Sequence, residues 1–401
     1  MKLFKYEMKK LLLNKSKLIL LVVLFAIYTL FGAFMSMEDG PVPAQETLNE
    51  YARLISQNAG TLDSEQLAQS QTIRQAALAE YGKGEGLSER LNRDPVLRFH
   101  FEYTALGQRV NEYWNGPDEQ DMTDIQGIYP IQKKLKELEA AHDMGSYEYK
   151  YYEKRLETEL SLGEPIYEQA DFWNNYFLMF EAIFLTFLLL MVLTFFISPL
   201  FTQEVKTEMD SIVLCSEKGR CEIVTSKLLA TALTSATLAA VYIIGFSIGT
   251  FIGCGNLNGF DVPARCLDAL QGTSLHIGAF EAAAFGAVWL ILATVVFGLA
   301  LAFVSTRTKN QSSAFGLGMV ILVAGVMSNN LGGTIRELLW PVMDFNFGSL
   351  ALFSAIFGGH ETYNVLGQPM SYGAVAFVIC MALGVTAALL TYWAQKKRSV
   401  M

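Results

Sequence analysis

FTQEVKTEMDSIVLCSEKGRCEIVTSK, residues 201–227, is a polar stretch carrying Glu204, Lys206, Asp210, Lys218, Arg220 and Lys227 between two long apolar segments. A charged loop so placed faces water on one side of a bilayer, and it decides the class of the whole chain. With 401 residues, 52% hydrophobic content and only 17% charge, the chain is too apolar for one soluble domain and too polar for membrane spans alone. A helix needs about 20 apolar residues to cross about 30 Å of hydrocarbon. Working outward from the loop, six spans are expected, at 18–37, 173–200, 228–253, 278–304, 314–328 and 373–395. The fifth is the shortest.

Basic residues in short loops are retained on the cytoplasmic side. Lys2, Lys5, Lys9, Lys10, Lys15 and Lys17, the 201–227 loop, Arg307 and Lys309 in the 305–313 loop, and Lys396, Lys397 and Arg398 in the tail 396–401 all fall on one side. The other short loops, 254–277 and 329–372, hold only Arg265 and Arg336. Both termini are therefore expected in the cytoplasm of a multi-pass protein of the cell (plasma) membrane. An apolar run from Ile335 to Phe357 is interrupted by Arg336, Glu337, Pro341, Asp344 and Asn346. It suits short helices dipping into the outer leaflet, since a seventh span would carry the basic tail outside.

Residues 1–17 place Phe4, Met8, Leu11 and Leu12 on one helical face with lysines on the rest, the pattern of an interfacial helix. The acidic island at 38–172 reads as a helical extracellular domain, with stripes such as Leu48, Tyr51 and Ile55, and with breaks at the Gly82–Gly86 stretch and at Asn115-Gly116-Pro117. It accounts for more than the whole net charge of −9, which is expected either to keep such a domain soluble and clear of anionic lipid or to serve in binding cations or cationic peptides. The fold class is thus an all-α polytopic membrane protein with six transmembrane helices, an N-terminal interfacial helix and a helical extracellular domain.

The chain contains no G-x-x-x-x-G-K-[ST], H-E-x-x-H, G-x-S-x-G or paired C-x-x-C motif. His100, His142, His276 and His360 are scattered, and Cys215 and Cys221 lack a nearby histidine, so no metal site or catalytic residue is expected. Cys254 and Cys266 share one outer loop and are candidates for a disulfide. Glu181 and Glu281 are the ionisable groups within the apolar segments; they either line an outer cavity or reach the interface.

Phe201, Glu204, Leu214, Ser216, Gly219-Arg220, Ile223-Val224 and Lys227, followed by a long span, resemble the first cytoplasmic loop of ABC-2 type (type V, ABCG-like) permeases. The six-span layout resembles the same family, and the acidic domain stands as an insertion between the first two spans. Where the family often has Gly-Thr this chain has Met209-Asp210, and it lacks a proline near Lys218. The resemblance implies a permease subunit of an ATP-driven transporter, an exporter of a peptide, lipid or lipophilic compound. It implies a coupling helix, roughly Glu204 to Ser216, docked on a separate ATP-binding subunit, with Glu204, Lys206, Met209, Asp210, Ser216, Arg220 and Lys227 as coupling residues. ATP and Mg²⁺ would sit in that partner and no cofactor in this chain; a second permease subunit, identical or related, would complete the pathway among membrane lipids, with no nucleic acid involved. The alternative from another class is a membrane-anchored sensor or scaffold whose extracellular domain binds a peptide or envelope component. A polytopic enzyme ranks third, for want of buried catalytic groups.

Overall fold

The computed structural model describes residues 2–37, 45–82, 84–116, 127–168, 170–207, 219–255, 257–328 and 343–397. Five helices are long and apolar enough to cross a membrane: Lys15–Ser36, Ile183–Lys206, Glu222–Cys254, Ala279–Arg307 and Tyr372–Lys396. The chain is a helical, polytopic membrane protein. The fifth span expected from the sequence, 314–328, lies within a helix from Gln311 to Ser328 whose apolar part is shorter than the other five.

In chain order, α1 (Lys2–Leu11) precedes α2 (Lys15–Ser36), and six helices build the inserted domain: α3 (Gln45–Asn58), α4 (Ser64–Tyr81), α5 (Glu85–Arg93), α6 (Pro95–Asn115), α7 (Ile128–Ala140) and α8 (Tyr147–Leu162). Then follow α9 (Asp171–Glu181), α10 (Ile183–Ile197), α11 (Pro199–Lys206), α12 (Gly219–Cys254), α13 (Ala279–Arg307) and α14 (Gln311–Ser328). Two short helices, α15 (Phe347–Leu350) and α16 (Phe353–Phe357), and the hairpin of β1 (Thr362–Val365) and β2 (Gln368–Ser371) lead into α17 (Tyr372–Lys396). The antiparallel hairpin departs from the all-helical expectation for 329–372. Its turn is sharp, with Leu366 at φ 54° and Gly367 at φ 79°, and Asn364 Oδ1 accepts from the Gly367 N–H at 2.8 Å.

Local chemistry sets the domain's boundaries. Asp63, Asp94 and Ser146 cap α4, α6 and α8 by accepting backbone N–H bonds, and Pro95 occupies the first turn of α6. Gly82, Gly116 and Gly163 end the same three helices with φ of 70°, 82° and 79°, a backbone region that suits glycine. A small core of Leu54, Phe99, Tyr103, Leu106 and Tyr167 holds α3 and α6 to the segment returning to the membrane, where Gly60 and Tyr167 exchange backbone bonds of 2.8 Å.

The membrane part has its own continuous core, and its closest contact is between α2 and α12. Gly245, Gly249 and Gly253 recur every fourth residue along α12, and α2 presents Phe25, Tyr28, Thr29, Gly32, Ala33 and Ser36 to them. A Cβ on Gly253 would fall 2.6 Å from Ser36 Cβ and 2.7 Å from the Ala33 oxygen, so the backbones meet where a side chain has no room. The second apolar segment, expected as one unbroken span, breaks at Ala182 between α9 and α10. Two hydroxyls satisfy carbonyls at the break: Tyr242 donates to the Met179 oxygen at 2.7 Å and Ser354 to the Phe180 oxygen at 3.2 Å.

Candidate functional site: a buried charge cluster

The stretch expected as a loop at 201–227 is helical at both ends. Residues up to Lys206 continue the second apolar helix as α11, and α12 begins at Gly219. Pro199 has no N–H to give the preceding turn, and the Ser198 hydroxyl donates instead to the Phe195 oxygen at 3.1 Å. The helix therefore runs on, carrying Leu200, Phe201 and Glu204 along one side.

Lys227 on α12 meets that side. Its side chain is wholly buried, and an ammonium taken out of water needs charge and hydrogen bonds around it. Nζ lies 2.6 Å from Glu204 Oε1 and 3.7 Å from Glu7 Oε1, and it donates to the Leu200 carbonyl at 2.6 Å. The same nitrogen stands 4.8 Å from the centre of the Phe201 ring. Lys10 reaches Glu204 at 4.0 Å, so two carboxylates and two ammonium groups balance. Burial lowers the Lys10 pKa and Lys227 lowers it further, while Glu7 and Glu204 act in the opposite sense. Next to this cluster Ser305 of α13 accepts from the Phe201 N–H and donates to the Ser198 oxygen, both at 3.1 Å. Four segments, α1, α11, α12 and α13, are thus fastened together around residues 198–204.

The cluster brings together Glu204 and Lys227 of the residues expected to couple. Lys227, wholly buried, bonds carboxylates. Lys206 is exposed at the end of α11, and Arg220 sits in the first turn of α12. Met209, Asp210 and Ser216 lie outside the described residues. Glu181 is exposed at the end of α9, whereas Glu281 accepts the Gly278 N–H at 3.2 Å and so helps to cap α13. The disulfide expected between Cys254 and Cys266 is not made. Asn175 donates to Cys254 Sγ at 3.5 Å while the Cys266 thiol points to the Ile166 oxygen at 4.0 Å, so each sulfur has a separate partner.

Glu7 and Lys10 are members that sequence reasoning missed. The signal for Glu7 was present: it falls three residues after Phe4 and four before Leu11, within the apolar stripe of α1, where an acid is out of place unless it has a partner. The cluster joins α1, α11 and α12 through its ion pairs. Among the described residues no group of three or more His, Cys, Asp or Glu is placed to hold a metal ion. No protein-family profile matches this chain, and no curated protein matches it.

Proposed function

We propose that this chain is the membrane-spanning permease subunit of an ATP-driven (ABC) exporter, moving a peptide, lipid or lipophilic compound with energy from a separate ATP-binding subunit. The observation that carries this reading is the charge cluster at the root of the 207–218 segment. Lys227, Glu204 and Glu7 tie the helices on both sides of that segment to one another and to α1. A push on the segment is therefore passed to α10–α11 and α12 together instead of being absorbed by a slack loop. The basic residues of the termini and short loops concentrate at the same end of the helices, which supports a cytoplasmic position for the segment and for both termini. In this reading two permease subunits form the pathway, and the partner subunits bind ATP and Mg²⁺.

Affinity purification of the full chain from its native membranes tests the proposal. A P-loop ATPase subunit is expected to co-elute, and Lys206→Glu combined with Asp210→Lys should lower its recovery at least about fivefold, because both change charge on the docking segment outside the buried cluster. Absence of any ATPase partner would overturn the reading. It would favour a membrane-anchored sensor or scaffold, for which the cavity at the base of the inserted domain is the supporting observation.

A further inference from the structure

A cavity of about 330 Å³ lies between the inserted domain and the loops that join the membrane helices. Its wall takes Glu102 and Glu112 from α6, Glu159 from α8, Glu168 and Asp171 from the return to the membrane, and Asp268 from the loop after α12. The basic groups on the wall are Arg109, Arg265 and His360. Two of these three are already engaged: His360 Nε2 lies 3.0 Å and Arg265 Nη2 lies 3.7 Å from the Glu159 carboxylate, and Arg265 also donates to the Gly163 oxygen. Of the other carboxylates on the wall, Glu102 has Arg98 at 3.8 Å and accepts from the Tyr167 hydroxyl at 3.3 Å, and Asp268 accepts from the Gln271 amide at 3.1 Å. Among the described residues no basic side chain is within ion-pairing distance of Glu112 or Glu168.

Size and spacing say what would answer this charge. The volume sits at the small end of the range for ligand sites, about 300–1,000 Å³. The carboxylates are spread around the wall, and no three of them converge as a metal ion would require. Tyrosine rings on the wall are used to facing cations, since the Arg265 guanidinium lies 5.7 Å from the Tyr113 ring and that of Arg98 lies 5.8 Å from the Tyr51 ring. Burial holds the Glu102 and Glu168 carboxyls above their ordinary range, and Asp171 and Asp268 push Glu102 the same way. An arriving cation would relieve that strain between like charges.

We propose that this cavity binds a flexible organic oligocation, two or more ammonium groups spaced along an aliphatic chain, as in a free polyamine or in successive lysine side chains of a peptide. Its occupant bridges α6, the 165–171 connector and the loop between α12 and α13, and so ties the inserted domain more firmly to the membrane helices. The inference holds whether or not the chain is a transporter.

The test is calorimetric titration of the full chain in lipid nanodiscs with spermine and with trilysine, using side-chain-acetylated trilysine and Ca²⁺ as controls. Saturable binding of spermine or trilysine is expected, with neither control binding the site. Tighter spermine identifies the polyamine source and tighter trilysine the peptide source. Glu112→Gln, Glu168→Gln and Asp268→Asn should each weaken binding about fivefold, the upper end for one solvent-accessible ion pair. Arg109→Gln should change it in the opposite direction, a result that misfolding does not produce. No binding of either probe, Ca²⁺ competing as well as spermine, or unchanged affinity in the triple carboxylate variant would overturn the proposal.

Discussion

Lys227 is the residue on which the charge cluster turns. Removing its charge leaves the buried Glu7 and the partly buried Glu204 without their shared cation, and breaking a fully buried pair from one side costs about 3–5 kcal/mol, an upper bound here. Lys227→Met should accordingly lower the thermal unfolding temperature of the purified full chain, followed by loss of helical circular dichroism. Adding Glu204→Gln to Lys227→Met should restore part of the loss, because a neutral amide replaces the carboxylate that had lain nearest the ammonium. A single variant as stable as the parent chain, or a double variant less stable than the single, would show that Lys227 is not held as described. Glu204 and Lys227 were legible as candidates in the sequence because they are charges beside apolar spans. That they answer each other was not, since 22 residues separate them in the chain and an ion pair has no sequence signature at that distance.

At the level of elements, the contact of α2 with α12 depends on absent side chains. Lipid tails are as apolar as leucine, so helix pairs in a membrane gain from close van der Waals approach more than from hydrophobic burial. A methyl group at Gly249 would fall on the Thr29 carbonyl oxygen, and one at Gly32 would come within 2.6 Å of the Phe246 oxygen. Gly249→Ala is expected to cost about 1–3 kcal/mol through overpacking. Gly316→Ala, where open space surrounds a position inside α14, should leave stability unchanged or raise it by up to about 1 kcal/mol. Heat-induced aggregation in detergent compares the two; equal midpoints would mean that the α2–α12 contact is looser than the backbone spacing requires. The four-residue glycine spacing was on the page of the sequence, yet its partner helix was not. The break at Ala182 was wholly hidden, because it is accommodated by hydroxyls from Tyr242 and Ser354, which the chain brings back from far along its length.

Over the whole molecule, α8 is the strut between the inserted domain and the membrane part. Tyr147 meets Thr362 at 2.6 Å between hydroxyls, and Lys150 and Lys154 donate to the Gly367 and Pro369 oxygens, both at 3.2 Å. Ser161 meets His276 at 2.7 Å, and Glu159 holds His360 and Arg265. Burial alone would raise the Glu159 carboxyl; the hydrogen bond and charge of His360, with Arg265 and Arg155, outweigh it and hold the group below its ordinary value of 4.5. A carboxyl depressed by folding contributes stability that is present above the unfolded value and lost as pH falls through the folded one. Anchoring of α8 through Glu159 should therefore loosen as pH falls below about 5, with Glu159→Gln removing much of that dependence. Hydrogen exchange of α8 amides across this window measures it directly. Protection that is independent of pH in the parent chain would exclude Glu159 as the group responsible. Glu102, raised by burial, works in the opposite sense, so a global melting temperature is the wrong readout.

The sequence by itself determined that the chain is helical and crosses a membrane, where its long apolar helices fall, and that a charged helical domain interrupts them. Each of these follows from local quantities: apolar run length, periodicity, caps and glycine stops act over a few residues and leave their mark in order along the chain. The tertiary structure alone decided that the polar stretch is helical at both ends, that Glu7 completes the Glu204–Lys227 pair, that Cys254 and Cys266 keep separate partners, and that α8 and the loop after α12 enclose a carboxylate-lined cavity. Those outcomes depend on which helices become neighbours. Burial and charge pairing are properties of that neighbourhood, and residues 7, 204 and 227 acquire a common role only when three helices meet.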